Sequence, residues 1–330
     1  MSCTAEKLVA ACCSLLVAGP AIAQGDAREW LARMEDAVEY LNYNGVFIHI
    51  YDQRAETMKV VHRVDGDKIT ERYYALNGPR REIIRKNDTV KCILPDKQSV
   101  LVERLGGQTA LQTRLPAYTT QLEDAYQFKL QRRTGSVAGR TTRIIQIKPR
   151  DRYRYGYRLW LDEETALLLK SQLLSDDDEI IEQLMFASIN IRQSIPDSEL
   201  EPVTDHEGFT WYRQEATTRA REKDNTAPLW RAARLPNGFV LTESRTRMMA
   251  GSDEPVEHLV YSDGLATVSV FVELPAKKVD FIGGLSRLGA ANAFATSVDA
   301  HLITAVGEVP APTVELIANS VQPTTVGAMR

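Results

Sequence analysis

From residue 46 to residue 191 the chain repeats one pattern: a short run with strand character, then a turn signal. Val46, Ile48 and Ile50 alternate with Phe47, His49 and Tyr51, so both faces of this strand are large and both can be covered. Residues 57–64 end at Asp65-Gly66-Asp67, and residues 69–76 stop at Asn77-Gly78-Pro79. Residues 81–85, 90–94 and 99–103 follow, separated by Asn87-Asp88 and Pro95-Asp96. The period of two lapses over 104–131, where Gly106-Gly107 and Pro116 interrupt it and 120–126 can form a short helix. It resumes at 139–147, 153–161, 167–174 and 180–191, with Asp162-Glu163-Glu164-Thr165 and the acidic run 175–179 as turns. Many short strands at close spacing are the mark of an antiparallel sheet or an open barrel.

Helical signals are few. Trp30, Leu31, Met34, Val38 and Leu41 recur at helical spacing with charged residues between them, which predicts an amphipathic helix over 27–42 capped by Asp26. Residues 192–228 have little apolar periodicity, contain Pro196, Pro202 and Pro228, and are dense in charge from 213 to 225; they read as a linker. Beyond it come a strand over 239–245, a hairpin of 257–262 and 265–273 about Asp263-Gly264, a glycine-rich mobile connection at 281–289, strand structure over 295–306 and a closing helix over 314–321. A chain of 330 residues is long enough for two domains of roughly 150 residues each. Strands with a few helices make the expected fold class α+β, its first part an antiparallel sheet or open barrel. The expected boundaries are 24–194, a linker at 195–227, 228–321, and a flexible tail at 322–330.

The first residues carry an address. Lys7 and the α-amino group precede an apolar run from Leu8 to Ala18, Gly19-Pro20 breaks it, and Ala21-Ile22-Ala23 is a small-x-small cleavage pattern. A signal peptide of residues 1–23 is therefore expected, with export to an oxidising compartment. Val9-Ala10-Ala11-Cys12 also looks like a lipobox, but too few residues precede it for an apolar core. Cys3, Cys12 and Cys13 leave with the signal peptide, and Cys92 alone can form neither an intrachain disulfide nor a cysteine zinc site.

Chemistry-bearing patterns are missing. Lys plus Arg is 40 and Asp plus Glu is 44, a net charge of −4 that argues against nucleic acid as a partner. No run of about 20 apolar residues exists, so no segment is expected to span a membrane. None of His49, His62, His206, His258 and His301 forms a metal-ligand spacing, and Gly283-Gly284-Leu285-Ser286 lacks the second glycine of a nucleophile elbow. No phosphate loop or dinucleotide fingerprint occurs. No catalytic residue, metal or cofactor is therefore assigned, and the chain is not read as an enzyme. The run Arg152-Tyr153-Arg154-Tyr155 suits cation–π packing across strands, and paired arginines also suit carboxylates and phosphates; Tyr155 and Tyr157 are candidates for contacting a partner.

Trp30-Leu31, Leu41-Asn42-Tyr43, Asn77-Gly78-Pro79-Arg80-Arg81-Glu82, Arg158-Leu159-Trp160-Leu161-Asp162, Leu235-Pro236-Asn237-Gly238-Phe239, Tyr261-Ser262-Asp263-Gly264-Leu265 and Val306-Gly307-Glu308 occur in an order that resembles the RseB/MucB family. That family comprises periplasmic negative regulators of the sigma-E (AlgU) envelope stress response. The resemblance runs from about Trp30 to Val321. It implies an N-terminal domain like the lipoprotein carriers LolA and LolB, an unclosed antiparallel β-barrel with helices, and a smaller α+β C-terminal domain. It also implies binding to the periplasmic region of a membrane-spanning anti-sigma factor of the RseA/MucA type, which is thereby shielded from site-1 proteolysis. Lipopolysaccharide or the acyl chains of mislocalised lipoprotein would displace the protein.

An open sheet must bury its hollow face under helices or around a ligand. Val46, Ile48, Ile50, Trp160 and Leu161 are the candidate lipid-lining residues, although alternation alone does not say which face is hollow. Arg80 and Arg81 are candidates for meeting acidic groups of the partner or lipid phosphates, with a structural salt bridge as the alternative. A periplasmic lipid or lipoprotein carrier of the LolA type is the rival reading, and homo-oligomer formation stays open.

Overall fold

The computed structural model describes residues 26–104, 118–214, 228–248, 254–274 and 283–324. The expected signal peptide, its cleavage point, the Cys12 alternative and all but the first residues of the tail lie outside the described residues.

Helix α1 spans Ala27–Tyr40. Asp26 caps it as expected, its carboxylate accepting from the Arg28 N–H at 2.7 Å. Leu41 is already extended, so the helix ends where β1 begins. The first sheet has twelve strands: β1 Asn42–Tyr51, β2 Arg54–Asp65, β3 Lys68–Ala75, β4 Glu82–Lys86, β5 Thr89–Leu94, β6 Ser99–Arg104, β7 Tyr126–Val137, β8 Arg140–Pro149, β9 Gly156–Asp162, β10 Leu168–Leu174, β11 Ile180–Arg192 and β12 Thr210–Gln214. They run in the order β12-β6-β5-β4-β3-β2-β1-β11-β10-β9-β8-β7, so β12 and β7 are free edges and the sheet is unclosed. Chain neighbours pair antiparallel, and β1 returns to β11, which joins the two meanders. The expected short helix at 120–126 is a single 3-10 turn, Thr120–Asp124.

Alternation sorts the sheet into two faces. Tyr43 and Phe47 of β1 pack with Met58, Val60, Tyr73 and Phe186 and with Ala37 and Val38 of α1, so this is the helix-covered face. Leu159 and Leu161 of β9 and Ile145 and Ile147 of β8 face the same way, against Trp30, Leu31 and Met34. A bulge between Val46 and Phe47 bends the β1–β11 pair. Under the helix end lies a buried polar group. His62 meets the Glu71 carboxylate at 2.9 Å and the Val38 carbonyl at 3.1 Å, while Tyr73 and Arg85 donate to the same carboxylate at 3.0 and 3.3 Å. Glu71 is thus satisfied from three sides, as a buried carboxylate must be.

The stretch expected to be a linker is docked over its first part. Ile195 and Leu200 bury against Val61, the Arg63 side chain donates to the Ile195 carbonyl, and Glu82 accepts from the Val203 and Thr204 N–H groups. Phe209 then packs on Ile84, Ile93 and Val100. The chain next forms β12, which pairs parallel with β6, so the sheet is not wholly antiparallel. Polar residues in this segment concealed its packing, because it is held by buried carboxylate and backbone bonds as much as by apolar side chains.

The C-terminal part is built on a six-stranded antiparallel sheet. Its strands are β14 Val240–Arg247, β15 Val256–Ser262, β16 Thr267–Glu273, β17 Gly284–Leu288, β18 Ala291–Val298 and β19 His301–Gly307, in the order β14-β15-β16-β19-β18-β17. Helix α2, Ala311–Ala318, packs on β18 and β19 and buries Val314 and Ile317 in the core. The short strands β13, Trp230–Ala232, and β20, Val321–Pro323, pair beside it. Residues 284–288, expected to be a mobile connection, are strand; all five are exposed on the sheet edge, so burial left no period to read. The strand expected over 295–306 is a hairpin whose turn residues Asp299 and Ala300 take φ of 47° and 64°, without the glycine that usually marks such a turn.

Candidate functional site

Two places stand out in the fold: the interior beneath α1 and the seam between the two parts of the chain. Leu31 and Met34 of α1, Tyr118, Leu122, Phe128 and Leu265 line a cavity of about 20 Å³. On this measure a single water needs about 10–15 Å³, so the space holds one small molecule of that size and is far too small for an acyl chain. Leu265 comes from the β15–β16 turn of the C-terminal part, so both parts of the chain close this space.

Glu35 lies at the rim of that cavity and accepts from the Tyr118 N–H at 3.1 Å. Burial raises its pKa, opposed by that backbone bond and reinforced by Asp36 and Glu39. A raised folded-state pKa gives a stabilising contribution that is complete below the ordinary carboxylate value and is lost as pH rises through the raised one. Glu35→Gln is therefore expected to raise the melting temperature near pH 7–8, with the gain vanishing below about pH 4. Thermal melts across that range check it; a destabilised variant at pH 8 contradicts it.

The seam centres on Arg154, whose side chain is 0% exposed. Its Nε donates to the Asp263 carboxylate at 2.5 Å, and Asp263 is itself 0% exposed. Arg154 also pairs with Asp151 and donates to the Asn237 carbonyl. The guanidinium lies 4.9 Å from the Phe239 ring centre and 5.6 Å from that of Tyr126. Burial opposes its charge, but the bonds to Asp263 and Asp151 outweigh burial and raise its pKa. Tyr126 donates to Asp263 at 3.1 Å. Asp263 also caps its own turn through the Leu265 and Ala266 N–H groups at 2.9 and 2.7 Å. Two further bonds fasten the same loop: Thr313 of α2 donates to the Tyr153 carbonyl at 2.7 Å, and Asn292 donates to the Tyr155 hydroxyl at 3.0 Å.

Beyond the seam, His49, Tyr51, Asp52, Arg54 and Glu182 face the β17–β18 turn across a groove of about 220 Å³. His49 meets Glu182 at 2.6 Å, and Leu288 stands 83% exposed at the groove.

The residues expected to act divide among these places. Leu161 faces α1 and is fully buried. Val46, Ile48 and Ile50 lie on the opposite face, since Tyr43 and Phe47 take the helix side; Ile50 is 40% exposed. Trp160 falls in the opposite row of β9, under Lys170 at 4.5 Å, but it is half-buried and packs against the same cluster as Tyr43 and Phe47. The five are thus not brought to one surface. Arg80 pairs with Asp96 at 3.1 Å, and Arg81 with Glu56, which also accepts from Tyr51. Tyr155 is buried with Leu173 and Ala290, inside the seam, and Tyr157 packs against the same cluster half-buried. The Arg-Tyr run does engage in cation–π packing, with Arg152 over Tyr153 and Arg154 over Tyr126. Asp263, Asn237 and Asn292 carry the seam without having been singled out by their chemistry. Asn237-Gly238 and Asp263-Gly264 had been read only as turns, and nothing local tells a turn that docks from one that does not.

Comparison with known proteins follows the same two-part division. The sequence model of the MucB/RseB N-terminal domain matches residues 26–204, and that of the MucB/RseB C-terminal domain matches residues 224–322. The sigma factor AlgU regulatory protein MucB of Pseudomonas aeruginosa is 31% identical over 313 residues, which are 93% of this chain and 94% of that protein. The sigma-E factor regulatory protein RseB of Escherichia coli K12 is 27% identical over 325 residues, 94% of each chain. Among solved structures, MucB in complex with MucA(peri) superposes with a TM-score of 0.70 at 29% identity, covering 90% of this chain and 99% of that one. MucB alone gives a TM-score of 0.59 at 28% identity over 90% of this chain and 98% of its own. With both domain models matched in order across nearly all of the described residues, this chain belongs to the MucB/RseB family of sigma-factor regulatory proteins.

Proposed function

We propose that this protein is a periplasmic regulator that binds the periplasmic region of an anti-sigma factor of the RseA/MucA type, shields it from site-1 proteolysis and releases it on sensing lipopolysaccharide or mislocalised lipoprotein. The observation that carries the reading is the likeness to MucB in complex with MucA(peri), at 29% identity across both parts of the chain. The TM-score is higher against that complex than against MucB alone, 0.70 against 0.59, which favours an arrangement of this chain competent for the partner.

Release by lipid requires that lipid favour a state that holds the partner poorly. One turn supplies a physical link. Leu265 lines the small cavity under α1, and Asp263, two residues earlier, holds Arg154 across the seam. An acyl chain cannot enter about 20 Å³, so its entry displaces α1 or Leu265, and displacing Leu265 works against the Asp263–Arg154 bond. The test is titration calorimetry of the mature protein with the periplasmic fragment of its cognate anti-sigma factor, with and without lipopolysaccharide. The expected result is binding that weakens tenfold or more (about 1.4 kcal/mol) when the lipid is present. No binding in either arm rejects the partner, and equal binding in both rejects the release step.

A further inference from the structure

Strands β7 to β10 contain eight Lys or Arg and a single acid, Asp162, in a chain whose net charge is −4. Asp162 adds no free negative charge, because it is fully buried and bonded to Arg140 at 2.5 Å. The strand register gathers four of the cations on the face opposite α1. Arg158 and Trp160 alternate with Leu159 and Leu161, which take the helix side. Lys170 is opposite Trp160, Gln146 is opposite Arg158, and Lys129 is opposite Gln146, with Lys148 two residues along β8. Lys129 and Lys148 are exposed, and Arg158 and Lys170 are half-buried.

Among the described residues neither Arg158 nor Lys170 meets an acid; the Arg158 Nε is buried without a bond, and burial together with Arg158 pulls the Lys170 pKa down. Like charges placed together on one sheet face destabilise it. A cost of this kind with no local return is typical of a surface kept for a ligand. Apolar groups lie in the same rows. Trp160, Lys170, Met185 and Ile48 are successive partners across four strands, and Ile50 stands 40% exposed beside them.

Four adjacent strands span about 15–20 Å, too broad for one anion. An acidic peptide would need a groove that runs along these cations. The pocket of about 200 Å³ at the strand ends sets Lys148 among Asp176 and Asp178 and is balanced in charge. Lysines that carry their charge outward past aliphatic side chains are the composition of a surface that lies on a lipid headgroup layer. We propose that the face of β7–β10 opposite α1 docks on an anionic phospholipid bilayer, its cations at the phosphates and Ile50 at headgroup depth. The acidic turn at 175–179 borders this face and tilts that end away from the membrane.

The test is co-sedimentation of the mature protein, with no anti-sigma fragment added, on phosphatidylcholine vesicles with and without phosphatidylglycerol. Binding is expected only with phosphatidylglycerol, and it should fall with added salt as screening shortens. Each of Lys129→Gln and Lys148→Gln, exposed sites that leave the fold intact, should lower partitioning about fivefold, and the pair about 25-fold. Asp176→Asn with Asp178→Asn should raise it, and Lys97→Gln, in the exposed turn between β5 and β6, should leave it unchanged. Equal binding to neutral vesicles, or partitioning indifferent to Lys129 and Lys148, overturns the proposal. So does displacement from the vesicles by inorganic phosphate or by polyglutamate at matched ionic strength, which would mark a discrete anion or acidic-peptide site.

Discussion

Asp263→Asn lowers the unfolding free energy by about 3–5 kcal/mol, the usual loss when one member of a buried ion pair is removed and the other stays. The substitution is chosen because Asn retains an oxygen that can cap the Leu265 and Ala266 N–H groups, so the turn itself survives. What is lost is the charge facing Arg154, which has no exposed surface through which water could compensate. Asp151 still pairs with Arg154, but from within the same loop, so it does not hold the two parts of the chain together. Urea denaturation should therefore show a lower midpoint and a transition that broadens or splits as the parts unfold separately. Arg154→Met in the same background should recover much of the loss, since an apolar side chain between Phe239 and Tyr126 is tolerated where a lone carboxylate or guanidinium is not. A loss under 1 kcal/mol for Asp263→Asn would show that the seam does not depend on this pair.

Leu161→Ala and Ile50→Ala form the second test, because the sequence had placed both residues on one lipid-lining surface. Leu161 is fully buried against α1, and its truncation is expected to cost about 2–5 kcal/mol. It should also enlarge the apolar space under the helix, so that a hydrophobic probe absent from the native protein's interior finds a site. Ile50 lies on the other face at 40% exposure, and its truncation should stay within about 0.5 kcal/mol. Chemical denaturation of the two variants measures the difference. Comparable losses at both positions would mean that the two faces of β1 and β9 had been exchanged.

These two experiments mark where sequence reading stops. The helix was legible because Trp30, Leu31, Met34 and Val38 fall on one stripe, and Asp26 caps it through its own side chain. The meander was legible because each strand ends at a local turn signal, as at Asp65-Gly66-Asp67 and Asn77-Gly78-Pro79. The family was legible from the order of short motifs, and the domain models place it over the same span. Val46, Ile48 and Ile50 were named as lining although Phe47, His49 and Tyr51 between them are as large, so alternation gave no ground for choosing a face. The deciding fact is that Ala37 and Val38 of α1 lie over Tyr43 and Phe47, a contact made by residues brought together only in the fold.

Local sequence thus determined the elements, because hydrogen bonding along a helix and chemistry within a turn depend on residues a few positions apart. It carried the family for the same reason, in short motifs whose order the two domain models repeat. The tertiary structure alone decided which side of the sheet is inside, that residues 195–214 bind the sheet, and that Arg154 meets Asp263 across 109 positions of chain. Such contacts depend on the path of the backbone between the partners, and no window of neighbouring residues contains that path.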